Sequence, residues 1–120
     1  MDRTDALQPS SDWRARSYRR FDLEFPVLLR FQTESTSLEV EGVSKNVSVG
    51  GLLVRSVSPI PPHTSVTFVL SVHGKHALRP VRLFGEGVIV RIEPEERQAS
   101  FALAVKCISL VKELENYLPQ

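Results

Sequence analysis

The sequence has few of the features that mark secreted or membrane-spanning proteins. A single cysteine, Cys107, cannot form an internal disulfide. Apolar runs such as residues 66–70 are far shorter than the roughly 20 residues that a membrane helix needs. Residues 1–5 have neither the basic start nor the apolar run of a secretory signal. We therefore expect a cytoplasmic protein that does not insert into a membrane itself.

The chain also has almost no excess of positive over negative charge. Fifteen Lys and Arg against fourteen Asp and Glu leave a formal net charge of +1, so no overall field would hold the chain on nucleic acid or an anionic membrane. Any anion site must be local. The densest basic cluster precedes the first acid of that region, Asp22, and consists of Arg14, Arg16, Arg19 and Arg20.

Helical periodicity is absent over most of the chain. β-Branched and aromatic residues occur instead in short runs separated by Gly, Pro, Ser and Asn, which is typical of strands. The six runs are residues 25–31, 38–43, 52–54, 66–70, 81–92 and 101–105. We expect the fifth to bend at Gly85 or Gly87, where a missing side chain permits a bulge. Six strands without intervening helices predict an all-β fold, an antiparallel barrel or sandwich, in which closure would hide the edges.

The two ends of the chain differ from this pattern. Residues 1–12 are polar and aperiodic, which predicts a flexible leader; residues 13–24 form an arm, and the barrel spans 25–107. A C-terminal amphipathic α-helix is predicted over 109–118, capped by Ser109 and stopped by a proline. Its apolar positions are Ile108, Val111, Leu114 and Leu118.

The arginine cluster has the chemistry of an anion-binding segment. A guanidinium is planar and carries five donors, so it can bind a phosphate or the O6/N7 edge of guanine bidentately and can also stack on a base. Arg16 and Arg20, on a mobile arm, could close over a ligand and order the arm only when that ligand is bound. A solvated basic tail has the same composition, and that alternative stays open.

A second cluster follows at the turn between the second and third runs. Asn46 and Ser48 alternate on extended backbone, so both side chains lie on one face of the sheet and Val47 lies on the other. Gly51 permits either a positive φ or the close approach of a ligand to the main chain. Alternatively, Asn46 and Ser48 only satisfy the backbone of their own turn.

Taken together, the two clusters resemble the PilZ domain family. Its members carry an RxxxR motif before the first strand and a [D/N]xSxxG motif on the next pair of strands. The matching residues are Arg16 and Arg20, then Asn46, Ser48 and Gly51, with Pro26 at the familiar position six residues past the second arginine. The resemblance extends from about residue 14 to residue 107.

The resemblance implies a six-stranded barrel with cyclic di-GMP on its outer surface. Arg16 and Arg20, with Arg19 beside them, would bind phosphates and guanine edges, and Asn46 and Ser48 would contact a guanine. Gly51 would keep the surface open. The protein would be a receptor without catalytic activity, cofactor or metal, which changes conformation and so signals to a protein partner.

Two other functions remain as alternatives. One is a PilZ-like adaptor that binds only protein, through the helix that bears Leu114 and Leu118. The other is a small nucleic-acid-binding barrel that uses residues 14–20 as a cationic funnel and Phe21, Phe31 or Phe68 as stacking platforms; the near-zero net charge argues against it.

Several further residues have simpler interpretations. His63, His73 and His76 lack a carboxylate or thiol at ligand spacing, so no metal site is expected. Cys107 ends an apolar run and is predicted to be a buried small hydrophobe. Trp13 and Tyr18 either stack on the ligand or anchor the arm to the barrel, and the sequence does not distinguish these roles.

Overall fold

The structure, a computed structural model, describes residues 19–73, 79–95 and 99–119. The predicted leader and the residues Trp13, Arg16, Tyr18 and His76 lie outside the described residues. The strands are β1 Pro26–Gln32, β2 Ser37–Ser48, β3 Gly51–Ser56, β4 Ser65–Val72, β5 Val81–Glu95 and β6 Ser100–Cys107. One short helix, Lys112–Tyr117, follows them.

The six strands form a closed antiparallel barrel in the order β1-β2-β3-β6-β5-β4. Buried and less buried positions alternate along β3 and β4, because successive side chains point to opposite faces of a strand. The inward-facing residues fill the barrel, and those with no measurable exposure include Leu29, Val47, Val54, Leu70, Ile89 and Leu103. The predicted six-stranded barrel is therefore confirmed.

The lone cysteine is part of this core, as the sequence predicts. Cys107 retains only 8% of its exposure, and burial raises the pKa of its thiol to about 11. A thiol with such a pKa remains protonated near neutral pH and is a poor nucleophile.

The bulge predicted at Gly85 or Gly87 of β5 lies elsewhere in the strand. The register of β5 against β6 shifts between Ile89 and Arg91, so the bulged residue is Val90. Gly85 instead pairs with Phe68 of β4, and a Cβ added there would come within 2.3 Å of the Phe68 ring. The glycine makes room for an aromatic ring in the core.

The predicted C-terminal α-helix is a six-residue 3₁₀ helix instead. It begins after Val111, whose N–H donates to Val49 C=O at 2.8 Å and so is held against the barrel end, and Ser109 does not cap it. Few residues then remain before Pro119 ends the run. At three residues per turn, the inward positions are Val111, Leu114 and Tyr117, whereas Ile108 is 63% exposed. Within the described ranges, no helix is long and apolar enough to cross a membrane.

Candidate ligand-binding site

The chain segment before β1 is fastened to β2. Phe21 and Val47 form an antiparallel bridge, in which each N–H donates to the other's carbonyl at 2.9 Å. Further along, the Ser44 hydroxyl donates to Leu23 C=O and accepts from Phe25 N–H at 2.8 Å. The part of the arm from Phe21 onward is therefore a fixed piece of structure, and it sets Arg20 beside the C-terminal end of β2.

This arrangement brings most of the predicted site residues to one cavity of about 120 Å³ on the barrel exterior. Arg20 lines the cavity from the arm, and Asn46, Ser48 and Gly51 line it from the β2–β3 hairpin. The sequence places these residues in two clusters, and the Phe21–Val47 bridge joins the clusters in space.

Asn46 reaches this surface with the help of a bulge. The β2–β3 register shifts between Ser44 and Asn46, so Lys45 is the extra residue. Val47 then has its side chain fully buried in the core, while Asn46 and Ser48 line the cavity. The predicted alternation across Val47 thus holds, although spacing alone does not indicate the bulge.

Ser48 is mainly engaged with its own turn. Its Oγ accepts from the N–H groups of Gly50 at 3.2 Å and Gly51 at 3.1 Å, and it donates to Gly51 C=O at 3.2 Å. With 4% exposure it lies at the cavity floor. The interpretation of Ser48 as a turn former is therefore correct for its hydrogen bonds in this state.

Gly51 does not need the left-handed backbone that glycine permits, because no described glycine has a positive φ. A Cβ at this position would lie 2.7 Å from Val105 C=O of the neighbouring β6. Glycine is needed here for the close approach of β3 and β6 beneath the cavity.

Of the two remaining predicted arginines, Arg19 is described and does not line the cavity. The Arg19 guanidinium instead lies 5.1 Å from the centre of the Phe21 ring in a cation–π contact. Arg16 lies outside the described residues.

The structure adds residues that the sequence interpretation missed. Arg91 of β5 and Lys106 of β6 also line the cavity, together with the apolar side chains of Leu53, Val90 and Ala104. Lys106 interrupts an otherwise apolar run, which was a signal that it faces outward. No sequence pattern indicated that Arg91 faces the cavity, because the direction of its side chain depends on the bulge at Val90.

A partly buried ion cluster lies on the same strands. The Glu95 carboxylate accepts from Arg55 Nε at 3.0 Å, from Ser100 Oγ at 2.9 Å and from Lys45 Nζ. The hydrogen bond from Lys45, followed by that from Arg55, lowers the pKa of Glu95 to about 2. The cluster joins β2, β3, β5 and β6, the strands that carry the cavity.

Two residues of the alternative binding surfaces are buried. Phe68, proposed as a stacking platform for nucleic acid, is 2% exposed and belongs to the core. Leu114, proposed as a contact for a protein partner, has no exposed surface, and Leu118 packs against the core beside it.

Comparisons with known proteins agree with this architecture. A family model for the PilZ domain matches residues 14–119, whereas no curated protein matches the chain. Among solved structures, the Bacillus subtilis inhibitor of motility, MotI/DgrA, is similar with a TM-score of 0.66 and 17% identity. The similarity covers 93% of this chain and 49% of that one, so the chain spans about half the length of that protein. Because the family model matches nearly the whole barrel and the arm before it, the chain belongs to the PilZ family.

Proposed function

We propose that the chain is a cytoplasmic receptor for cyclic di-GMP that changes conformation on binding and signals to a protein partner, without catalytic activity or cofactor. One observation carries the proposal: the Phe21–Val47 bridge places Arg20 at the same cavity as Asn46, Ser48 and Gly51. These residues come from two motifs that are far apart in the sequence and that a nucleotide site would need together.

The chemistry of the cavity suits an anionic purine ligand. Among its described lining residues there are three cations, Arg20, Arg91 and Lys106, and no acid, in a chain whose formal net charge is only +1. The Asn46 amide can both donate to and accept from a base edge. Leu53 and Ala104 offer an apolar floor on which a base can lie.

The size of the cavity supports a conformational response. Pockets that enclose small ligands usually measure about 300–1,000 Å³, and this one measures about 120 Å³. A cyclic dinucleotide would therefore rest partly outside it and present its outer side to residues that precede Arg20. Arg16, four positions earlier, is the residue we expect to close over it.

A second candidate function, an adaptor that binds only protein, is favoured by a different surface. A groove of about 700 Å³ runs along β1, β4 and β5, away from the cavity. Phe84 lines it and is 73% exposed, which is unusual for a large aromatic side chain. In a receptor the same groove is available to the partner.

Calorimetric titration with cyclic di-GMP tests the proposal. Arg20→Ala should lower affinity by a factor of about ten to a hundred or more, because a charge-assisted hydrogen bond contributes about 1.5–3 kcal/mol. Ser48→Ala should weaken binding less, through loss of the hydroxyl that orders the Gly50–Gly51 turn.

Arg82→Ala is the matched control, since it removes one cation from the opposite groove. We expect its affinity to equal that of the unmodified chain. Equal affinity of the Arg20→Ala and Arg82→Ala variants would refute the assigned site, and a lack of binding by the unmodified chain would favour the protein-only adaptor.

A further inference from the structure

The cavity has cations on both of its sides. Arg20 lies at the rim formed by the arm and β2, whereas Arg91 lies on β5 and Lys106 on β6. Neither Arg91 nor Lys106 belongs to the RxxxR or [D/N]xSxxG motif. Their position opposite Arg20 needs a separate explanation.

The sheet register fixes how far Arg91 and Lys106 lie from the motif residues of β2. Asn46 pairs with Leu53, Leu53 with Ala104, and Ala104 with Arg91. Three strand spacings separate the Asn46 backbone from that of Arg91, a path of about 14 Å along the sheet. Two residues further along these strands, Lys106 pairs with Gly51, which pairs with Ser48.

The bulge in β5 is what turns Arg91 toward the cavity. If Val90 were a regular paired residue of the ladder, Ile89 and Arg91 would lie on the same face, and the alternation that buries Ile89 completely would bury Arg91 as well. Val90 itself is 48% exposed and lines the cavity. Bulges are common next to functional sites because they re-aim a side chain.

Among the described residues, neither cation has a substantial structural partner. Arg91 Nε approaches Glu93 Oε1 only to 3.7 Å, and the two side chains are 52% and 63% exposed, so the pair contributes little to stability. For Lys106, the described part of the chain contains no ion pair. Both cations are therefore available to an incoming anion.

We propose that Arg91 and Lys106 form a second cationic site, which binds one phosphate of the dinucleotide while Arg20 binds the other. The inference rests on the proposed function and deepens it. A cyclic dinucleotide carries two separate phosphodiester charges. Among the described residues Arg20 is the one motif arginine at the cavity, and a cationic site opposite it would pair with the other charge. The two-sided arrangement would favour a dianionic ring over a nucleotide with one phosphate group.

The first test is a titration of the full chain with cyclic di-GMP. Arg91→Ala and Lys106→Ala should each lower affinity about tenfold or more, and Arg82→Ala, on the same strand as Arg91 but in the opposite groove, should not. Thermal unfolding of each variant should match that of the unmodified chain, because both side chains are exposed.

The second test uses phosphorus-31 NMR of the bound ligand with conservative variants that keep the charge. Arg20→Lys should shift the resonance of one phosphorus atom and Arg91→Lys that of the other. Shifts of the same phosphorus in both variants, or none with Arg91→Lys, would overturn the two-sided assignment.

The results separate this inference from the function on which it rests. If the unmodified chain binds cyclic di-GMP and the Arg91→Ala and Lys106→Ala variants bind it equally well, the second cationic site is refuted and the receptor function stands. If the unmodified chain does not bind cyclic di-GMP, both the receptor function and the second cationic site are refuted.

Discussion

At the scale of single residues, Ser44 connects the candidate site to the core. It is 1% exposed, and its hydroxyl satisfies Phe25 N–H and Leu23 C=O at once. Its own N–H donates to Phe25 C=O at 2.9 Å. These bonds hold the arm against β2 just past Arg20, so Ser44 positions the site without contacting the cavity.

Ser44→Ala should lower the free energy of unfolding by about 1–3 kcal/mol, because the buried Phe25 N–H loses its acceptor. Urea denaturation measures this change. Thr33→Ala is the control, since its hydroxyl bonds to Thr36 are exposed and should contribute little. Equal stability of the two variants would show that the Ser44 hydroxyl does not hold the arm.

Residue spacing predicted part of this site. The alternation of Asn46 and Ser48 around Val47 follows from extended backbone, and the structure has it. Ser44 could not be recognised in the same way, because a serine in a strand carries no mark of the segment that it will fasten. Its partners lie about twenty positions away, and only the folded chain brings them together.

At the scale of secondary-structure elements, β4 and β5 pair closely because the Phe68 ring lies over a glycine of β5, Gly85. Phe68 pairs directly with Gly85, and its ring occupies the space where a side chain would stand. The sequence predicted both strands, but it assigned this glycine to a bulge. Whether a strand glycine marks a bulge or a close contact depends on the facing residue, which requires the register.

Gly85→Ala should lower the free energy of unfolding by about 1–3 kcal/mol through overpacking against the Phe68 ring. Combining it with Phe68→Leu should recover part of that loss, because the smaller side chain makes room for the new methyl group. Chemical denaturation of the two single variants and the double variant measures the coupling. Strictly additive losses would mean that the two positions do not interact as the structure indicates.

The C-terminal helix illustrates a limit of periodicity. Apolar residues at positions 108, 111, 114 and 118 fit an α-helix, yet the helix is a 3₁₀ helix of six residues. The backbone of Ile108 is already bound to Glu86 C=O, and that of Val111 to Val49 C=O. Tertiary hydrogen bonds at its start and Pro119 at its end decide the form of so short a segment.

At the scale of the whole molecule, the Glu95 cluster ties one half of the barrel together. The carboxylate on β5 joins side chains from β2, β3 and β6: Lys45, Arg55 and Ser100. Its pKa is lowered to about 2 from 4.5, with the Lys45 hydrogen bond as the largest cause. The ionised form is thus favoured in the folded state.

The sign of the pH dependence follows from that lowered pKa. The stabilisation is fully present above pH 4.5 and is lost as the pH falls from 4.5 toward 2, because the unfolded chain takes up the proton first. Glu95→Gln should therefore flatten the dependence of the melting temperature on pH across this interval. Glu93→Gln, at an exposed position, should leave it unchanged; identical profiles for the two variants would contradict the assignment.

The cavity draws its walls from the arm and from β2, β3, β5 and β6. Its lining residues extend from Arg20 to Lys106, so the cavity exists only in the closed barrel. By mass action, any ligand that binds there also favours the folded form over the unfolded one. If cyclic di-GMP binds there as proposed, its concentration would help to set the fraction of chains that are folded.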